Sequence, residues 1–474
     1  MGHDLDPLFA PDSVAVYGAS ASDPRKLGNT LLRNVLDGVD RVVCVHPTAS
    51  VIDGVPARPR LDGPVDLALV SVPVGAAEQA VRDAVSAGVR VLVLLSSGFG
   101  EAGPAGLATQ DRIAGLVREH GARLVGPNCM GVVSHLDGDR WLNGSYFWSV
   151  PRRPGPISFI SQSGAFGGMF LSEVRRRELG FARFISLGNA PDVSVTDALG
   201  WLGADPATEV IGVFTEGLRD GREFVEVARK ITGRKPVVVL KGGRGDAGAR
   251  AAAGHTGSLA GSARAYQAGF DRAGVTAVAG SGEFFDVLTA LAAPDARSHG
   301  PRVAVLTISG GPGVLAADAA EQRGLVLPAL PADRQAAIRR YTPEFAATAN
   351  PVDLTPQCRP AGFGPAIRAV YDEPGVDGVI VINCGLDIPE FGVGVAAAVA
   401  ATGKATTAFL LDVPQVRKSI AAAGVPCFDS PEAAVLGYAA GVAGMTACTE
   451  RHPAIPADGA EGEGQKGMPK KGTA

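Results

Sequence analysis

Short runs of β-branched and aliphatic residues alternate with longer stretches of helical period along the first part of the chain. The runs SVAVYG (13–18), RVVCVHP (41–47), VDLALVSVP (65–73), VRVLVLLSSGF (89–99) and ARLVGPN (122–128) do not alternate polar with apolar, which marks strands buried on both faces. Helices fit between them over Gly28 to Asp37, Gly75 to Ala87 and Gly106 to His120. Strand and helix in turn predict a parallel, doubly wound sheet of Rossmann-like order. The breaker-rich VPRRPGP (150–156) interrupts the pattern, which resumes with ISFISQSG, ARFISLGN, EVIGVFTEG and KPVVVLKGG. A second break near Pro294 to Pro301 precedes a third series, RVAVLTISGG (302–311), DGVIVINCG and TAFLLD. The expected units are 1–140, 150–296 and 300–448, with a disordered tail at 451–474 that has no apolar period.

Composition narrows the class. At 474 residues the chain is about three times the common ~150-residue domain, in keeping with several cores. Lys+Arg 44 against Asp+Glu 48 gives a net charge of −4, so there is no overall basic field for nucleic acid. The six cysteines are scattered, without C-x-x-C or zinc spacing, so no metal site is expected. The start MGHDLDPLFA has neither a basic nor an apolar leader region, and no apolar run reaches the ~20 residues that span a bilayer. A cytoplasmic protein is expected, with no membrane partner.

Three segments carry chemistry. In VAVYGASASDPRKLG (14–28) a strand enters a loop and then a helix; Gly18 allows the tight turn, and backbone amides with Ser20 can meet a phosphate, with Lys26 as a further partner. The loop is not G-x-G-x-x-G, and strand two ends CVHPTAS without a ribose-binding acid. A phosphate-bearing nucleotide lacking nicotinamide, such as coenzyme A, therefore fits better than NAD. In ISFISQSGAFGG (157–168) a strand ends in Ser161, Gln162, Ser163 and Gly164 and opens a helix; this is equally the pattern of a dianion site and of an ordinary Ser cap. In GGRGDAGARAAAGHTGSLAG (242–261) His255 sits among small residues, in what reads as a movable loop. Glu216, at the end of VIGVFTEG (210–217), is positioned either to hold one ring N–H of that histidine or to face water.

In this order the segments resemble the α part of the NDP-forming acyl-CoA synthetases, most closely the ADP-forming acetyl-CoA synthetases and more remotely succinyl-CoA synthetase α. The resemblance covers roughly residues 8 to 445. It also rests on VDLALVSVP, SSGFGEAG, LVGPNCMGVVS, SLGNAPDVSVTDALGWLGADPATEVIGVFTEG, LTISGGPGVLAADAAEQRGL and TANPVDLT (348–355). It implies an α/β chain in which a Rossmann-like CoA-binding domain precedes two flavodoxin-like domains with doubly wound parallel sheets. It further implies that Gly18, Ala19, Ser20 and Lys26 lie at the CoA phosphates, and that Val72, Pro73, Ser96 and Ser97 line the cofactor. Asn128 and Cys129 match the loop near the thioester end. By the same resemblance His255 is the phosphorylated histidine, Glu216 its carboxylate, and Ser161, Ser163 and Gly164 the phosphate cap.

Two departures qualify the likeness. Pro47, Thr48 and Ala49 stand where many members carry a lysine after strand two, which puts one CoA contact in question; Gly168 stands where succinyl-CoA synthetases place a substrate tyrosine, which implies a roomier site and disfavours succinate. The sequence contains no G-x-x-x-x-G-K-[ST] and no stretch like an ATP-grasp fold. The implied reaction is acid + CoA + ATP ⇌ acyl-CoA + ADP + Pi through acyl phosphate and phosphohistidine. ATP/ADP and Mg²⁺ would then sit on an ATP-grasp β subunit, in an α₂β₂ assembly. The alternatives are a CoA-sensing or scaffold protein of the same fold and, less favoured, an NAD-dependent dehydrogenase.

Overall fold

The computed structural model describes residues 3–256, 262–293 and 300–443. The tail expected at 451–474 lies outside the described residues.

The first unit opens with a short helix, α1 (Asp6–Phe9), and has seven strands: β1 (Ser13–Tyr17), β2 (Arg41–Val45), β3 (Val51–Ile52), β4 (Val55–Arg58), β5 (Leu67–Val70), β6 (Val91–Leu94) and β7 (Arg123–Val125). Helices α2 (Leu27–Leu36), α3 (Val74–Ser86) and α4 (Pro104–Glu119) cover them. The order β3-β4-β2-β1-β5-β6-β7 is parallel except for the β3–β4 pair. The order reverses between β1 and β5, so a crevice opens at their carboxyl ends, where α/β sheets bind ligands. The unbroken apolar runs have the burial they predict. Val14, Val16, Leu67, Leu69, Val91 and Val93 are all fully buried, each worth about 1.5–3 kcal/mol relative to exposure.

The second unit holds β8 (Gly131–His135), β9 (Trp141–Ser145), β10 (Pro154–Ser161), β11 (Phe181–Ser186), β12 (Val210–Thr215), β13 (Val237–Lys241) and β14 (Thr276–Val278). Its helices are α5 (Gly164–Arg176), α6 (Val195–Ala204), α7 (Gly221–Thr232), α8 (Asp246–Thr256), α9 (Ala263–Ala273) and α10 (Ser281–Leu291). The order is β14-β13-β12-β10-β11-β8-β9. Its last two strands pair antiparallel, an extension that the run of buried strands did not predict.

The third unit consists of β15 (Val303–Thr307), β16 (Val352–Asp353), β17 (Gly378–Cys384), β18 (Ala405–Leu411) and β19 (Cys427–Phe428), with α11 (Gly310–Gln322), α12 (Ala332–Arg339), α13 (Pro360–Tyr371), α14 (Pro389–Thr402), α15 (Pro414–Ala422) and α16 (Pro431–Ala443). Its order, β16-β15-β17-β18-β19, repeats the parallel core β11-β10-β12-β13-β14 of the second sheet strand for strand. Both are flavodoxin-like, with the switch point at the first strand of each.

Polar seams join the units. Between the first two, Arg123 reaches Asp192 at 3.2 Å, Asp197 at 3.1 Å and also Asp4. Burial alone would raise the Asp197 carboxyl, but Ser194 and Arg123 outweigh it and hold it below the ordinary carboxylate range. Helix α10 packs on α16 between the second and third units, flanked by an Arg176–Asp429 pair at 3.1 Å.

Candidate functional site

The first set of expected residues lies along the carboxyl edge of the first sheet. Gly18 ends β1 with φ +96°. A Cβ there would come within 2.0 Å of the Ser71 carbonyl oxygen, so only glycine lets the turn lie against the β5 loop. Asn29, fully buried on α2, accepts from Ser20 N at 2.8 Å and donates to Ser20 O at 3.0 Å, fixing Gly18-Ala19-Ser20 from below. The Ser20 hydroxyl accepts from the amide of Asp23 at 3.1 Å and so folds the loop back toward α2. Lys26 is the exposed residue preceding α2.

The neighbouring loops continue this row. Ser96 Oγ donates to Val72 O at 2.5 Å, Asn128 N donates to Ser96 O at 2.8 Å, and Asn128 Nδ2 meets Asn189 Oδ1 at 3.3 Å. Pro73 and Ser97 stand exposed beside Val72 and Ser96. Burial pushes the Cys129 thiol up to about 12, which disfavours the thiolate.

The second set belongs to the second sheet. The Ser161 hydroxyl accepts from Ser163 N at 3.2 Å and donates to Ser163 O at 2.7 Å, closing the turn after β10. Ser163 caps α5 by accepting from Phe166 N at 3.3 Å. The first amides of α5 have no intrahelical acceptor and, with the helix dipole, favour an anion. Gly164 is hemmed in by Met130, whose Cγ would lie 2.7 Å from an added Cβ. A Cβ at Gly168 would meet Phe147 at 3.5 Å, so that ring bounds the space a larger side chain would take.

Glu216 follows β12, the neighbour of β10, and its turn is held by three side chains from three elements. Gln162 Oε1 accepts from Glu216 N at 2.6 Å, Gly217 N at 3.1 Å and Thr215 Oγ1 at 2.8 Å, and Gln162 Nε2 donates to Gly217 O at 3.0 Å. Lys241 Nζ donates to Glu216 O at 2.8 Å and lies 4.8 Å from the centre of the Tyr266 ring. Tyr266 Oη accepts from Leu218 N at 3.1 Å. Burial lowers the Lys241 ammonium pKa below its ordinary value, against the pull of the Glu216 charge.

The loops of the two sheets meet. Asn189 donates to Glu101 Oε2 at 2.6 Å and to Gln110 Oε1 at 2.8 Å. A cavity of about 370 Å³ lies there between α4 and the loops holding Asn189, Gln162 and Gly217. Helix α8 lies against the 3₁₀ turn Gly100–Ala102 on the same side.

The backbone of His255 falls in the last turn of α8, where the small-residue pattern predicted a loop; its side chain and residues 257–261 lie outside the described residues. Gln162, Lys241, Tyr266 and Asn189 were not assigned from the sequence. The one signal for Gln162 was its place between the two serines. Among the described residues, no group of three or more His, Cys, Asp or Glu could hold a metal ion, and no helix is long and apolar enough to cross a membrane.

Comparison with known proteins gives a consistent picture. A CoA binding domain model matches residues 12–135, a succinyl-CoA ligase like flavodoxin domain residues 154–291, and a Ligase-CoA domain residues 303–454. The chain is 36% identical to the α subunit of the ADP-forming acetate–CoA ligase II of Pyrococcus furiosus over 80% of this chain and 82% of that one. It is 35% identical to the ADP-forming acetate–CoA ligase I of Archaeoglobus fulgidus, over 91% of this chain but 62% of the relative. It superposes with a TM-score of 0.84 and 31% identity on the dinucleotide-forming acetyl-coenzyme A synthetase 1 of Candidatus Korarchaeum cryptofilum, solved with phosphate and ADP, covering 94% of this chain and 97% of that one.

Proposed function

The chain belongs to the ADP-forming acetate–CoA ligase family of acid–thiol ligases, and from that premise we propose that it performs the acyl and histidine half of the reaction, acting through acyl phosphate and phosphohistidine. The observation that carries this reading is the unbroken row of bonded loops from the β1–β5 crevice through Ser96, Asn128 and Asn189 to the cavity beside Gln162 and Gly217. CoA laid along such a row has its thioester end carried toward Asn128, next to the cavity in which an anion can meet it.

In the thioester-consuming direction, CoA lies over Gly18, Ala19, Ser20 and Lys26, along Val72, Pro73, Ser96 and Ser97 and toward Asn128. Phosphate sits at the start of α5, held by the turn of Ser161, Ser163 and Gly164. A phosphate oxygen attacks the acyl carbon, the C–S bond breaks, and the thiolate leaves and takes up a proton. A ring nitrogen of His255 then attacks phosphorus, the bond from phosphorus to the acyl oxygen breaks, and the acid leaves as carboxylate. Glu216 orients the ring and stabilises its developing positive charge.

Transfer to ADP is assigned to a partner chain that carries an ATP-grasp unit and Mg²⁺, in an α₂β₂ enzyme. Two relatives named as α subunits, matched over 82% and 83% of their length, support this assignment. The substrate is a small organic acid, acetate being the acid in those relatives' names.

The test is the chain's uptake of acid-labile, base-stable ³²P from labelled acetyl phosphate, or from ATP with the partner present. Wild type takes up the label and His255→Ala takes up none while still binding CoA. Label on His255→Ala, or none on wild type, overturns the reading.

A further inference from the structure

We infer that Gln162 is a positioning residue: its side-chain amide sets the Glu216 turn and ties it mechanically to the anion cap at the start of α5. The inference rests on the proposed pairing of Glu216 with His255.

The amide has only one workable orientation here. Two main-chain N–H groups, of Glu216 and Gly217, converge on one end of Gln162 and a carbonyl oxygen, that of Gly217, meets the other. Only a group that both accepts and donates can answer this set, so the oxygen faces Glu216 and the nitrogen faces Gly217 O. These bonds fix the backbone on both sides of Glu216 Cα. Gln162 lies between Ser161, whose hydroxyl closes the turn, and Ser163, which caps α5. The amides aimed at phosphate and the backbone that aims the carboxylate are thus joined through one side chain.

The third unit supplies an internal control. There Thr307 and Ser309 repeat the hydroxyl turn: Thr307 Oγ1 accepts from Ser309 N at 2.8 Å and donates to Ser309 O at 3.0 Å. Strand registers equate Ser161, which faces Phe214, with Thr307, which faces Ile382; Glu216 then corresponds to Cys384. The residue between the hydroxyls is Ile308, 1% exposed and part of the core. The turn therefore forms without an amide at its middle position. The glutamine is present where the neighbouring strand ends in a carboxylate, not wherever the turn occurs.

The experiment uses the full chain, labelled from acetyl phosphate in a single turnover, with CoA affinity measured by calorimetry. Gln162→Leu slows labelling about 10²-fold, the scale of a ~1 Å misplacement of a reacting group, with CoA affinity unchanged. Gln162→Glu keeps the acceptor but sets a carboxylate oxygen against Gly217 O. It is slow at pH 8 and recovers as the pH falls and an O–H replaces the lost N–H, whereas wild type does not gain. That pH profile separates positioning from mere packing and serves if Gln162→Leu fails to fold. If wild type labels through His255 and Gln162→Leu, or Gln162→Glu at pH 8, labels at the wild-type rate, the Gln162 assignment falls and the reading stands. Label retained in His255→Ala sinks the reading itself.

Discussion

The second and third units present one turn in two settings. After β10 and after β15 a hydroxyl residue brackets the residue two places on, and a long helix starts there. Beyond that bracket the two sites diverge at three matched positions. In the second unit Gln162, Glu216 and Lys241 gather at the strand ends; in the third the same positions are Ile308, Cys384 and Leu410, by the registers Thr215 to Lys241 and Asn383 to Leu410. Ser309 Oγ, in place of a glutamine amide, accepts from Cys384 N at 3.2 Å and donates to Cys384 O at 3.3 Å. The bracket is an answer to the backbone's need to turn from strand to helix. The chemistry lies in the residues that differ.

The sharpest way to break the comparison is to exchange its distinguishing groups. Glu216→Gln keeps the shape and removes the charge opposite the proposed histidine, so phosphohistidine formation slows about 10²-fold, in the range for loss of a single charge-stabilising group. Cys384→Ala, at the matching position, leaves it unchanged. Single-turnover labelling of both variants decides; equal rates for the two would mean that the carboxylate does no more than the thiol.

Most of the fold was legible in the sequence because parallel strands buried on both faces leave unbroken runs such as VAVY, LALV and VLVL, and β1, β5 and β6 fall inside the runs read as strands. The antiparallel β8–β9 extension was not legible. GVVSH and WLNGS mix polar with apolar residues, yet Ser134, Asn143 and Ser145 are buried, with Ser145 Oγ donating to Asn143 Oδ1 at 2.6 Å. Of the site, the glycine and serine turns could be read directly, since they are local. Gln162 and Lys241 could not, because their partners depend on which strand lies beside which, and strand order is not written in any short segment. A lysine ending VVVLK reads as an exit to solvent, whereas Lys241 is 7% exposed under Tyr266.

A second pair of variants tests the shared part. Ser161→Ala and Thr307→Val each remove the bracketing hydroxyl from a position that is 0% or 1% exposed. Each leaves a part-buried amide without its partner, a cost of at most about 1–3 kcal/mol. A chain of three cores does not unfold in two states, so the loss is read by hydrogen exchange in β10 and β15 separately. Similar losses in both strands support a bracket that is structural in each. A loss confined to β10 would mean that the two turns are not equivalent.

The smallest expected effect concerns Lys241, the one charge of the trio with an apolar counterpart in the third unit. Its folded pKa lies below the unfolded value because burial disfavours the ammonium, with the Glu216 charge opposing. Between the two values the unfolded chain binds more protons than the native one, so stability rises with pH through that window. Below the folded pKa the penalty of the buried charge is felt in full, and above the unfolded pKa it has gone. Lys241→Met, which imitates Leu410, removes both the penalty and the bond to Glu216 O, losses of opposite sign that leave a small net change at pH 7. The difference between the two proteins should then move in favour of wild type as the pH rises toward the ordinary lysine value. Urea denaturation followed at pH 7 and pH 10, with exchange in β13 as the local readout, measures it. A difference that moves the other way would mean that the ammonium is stabilised in the fold by its carbonyls, the Tyr266 ring and Glu216 by more than burial costs it.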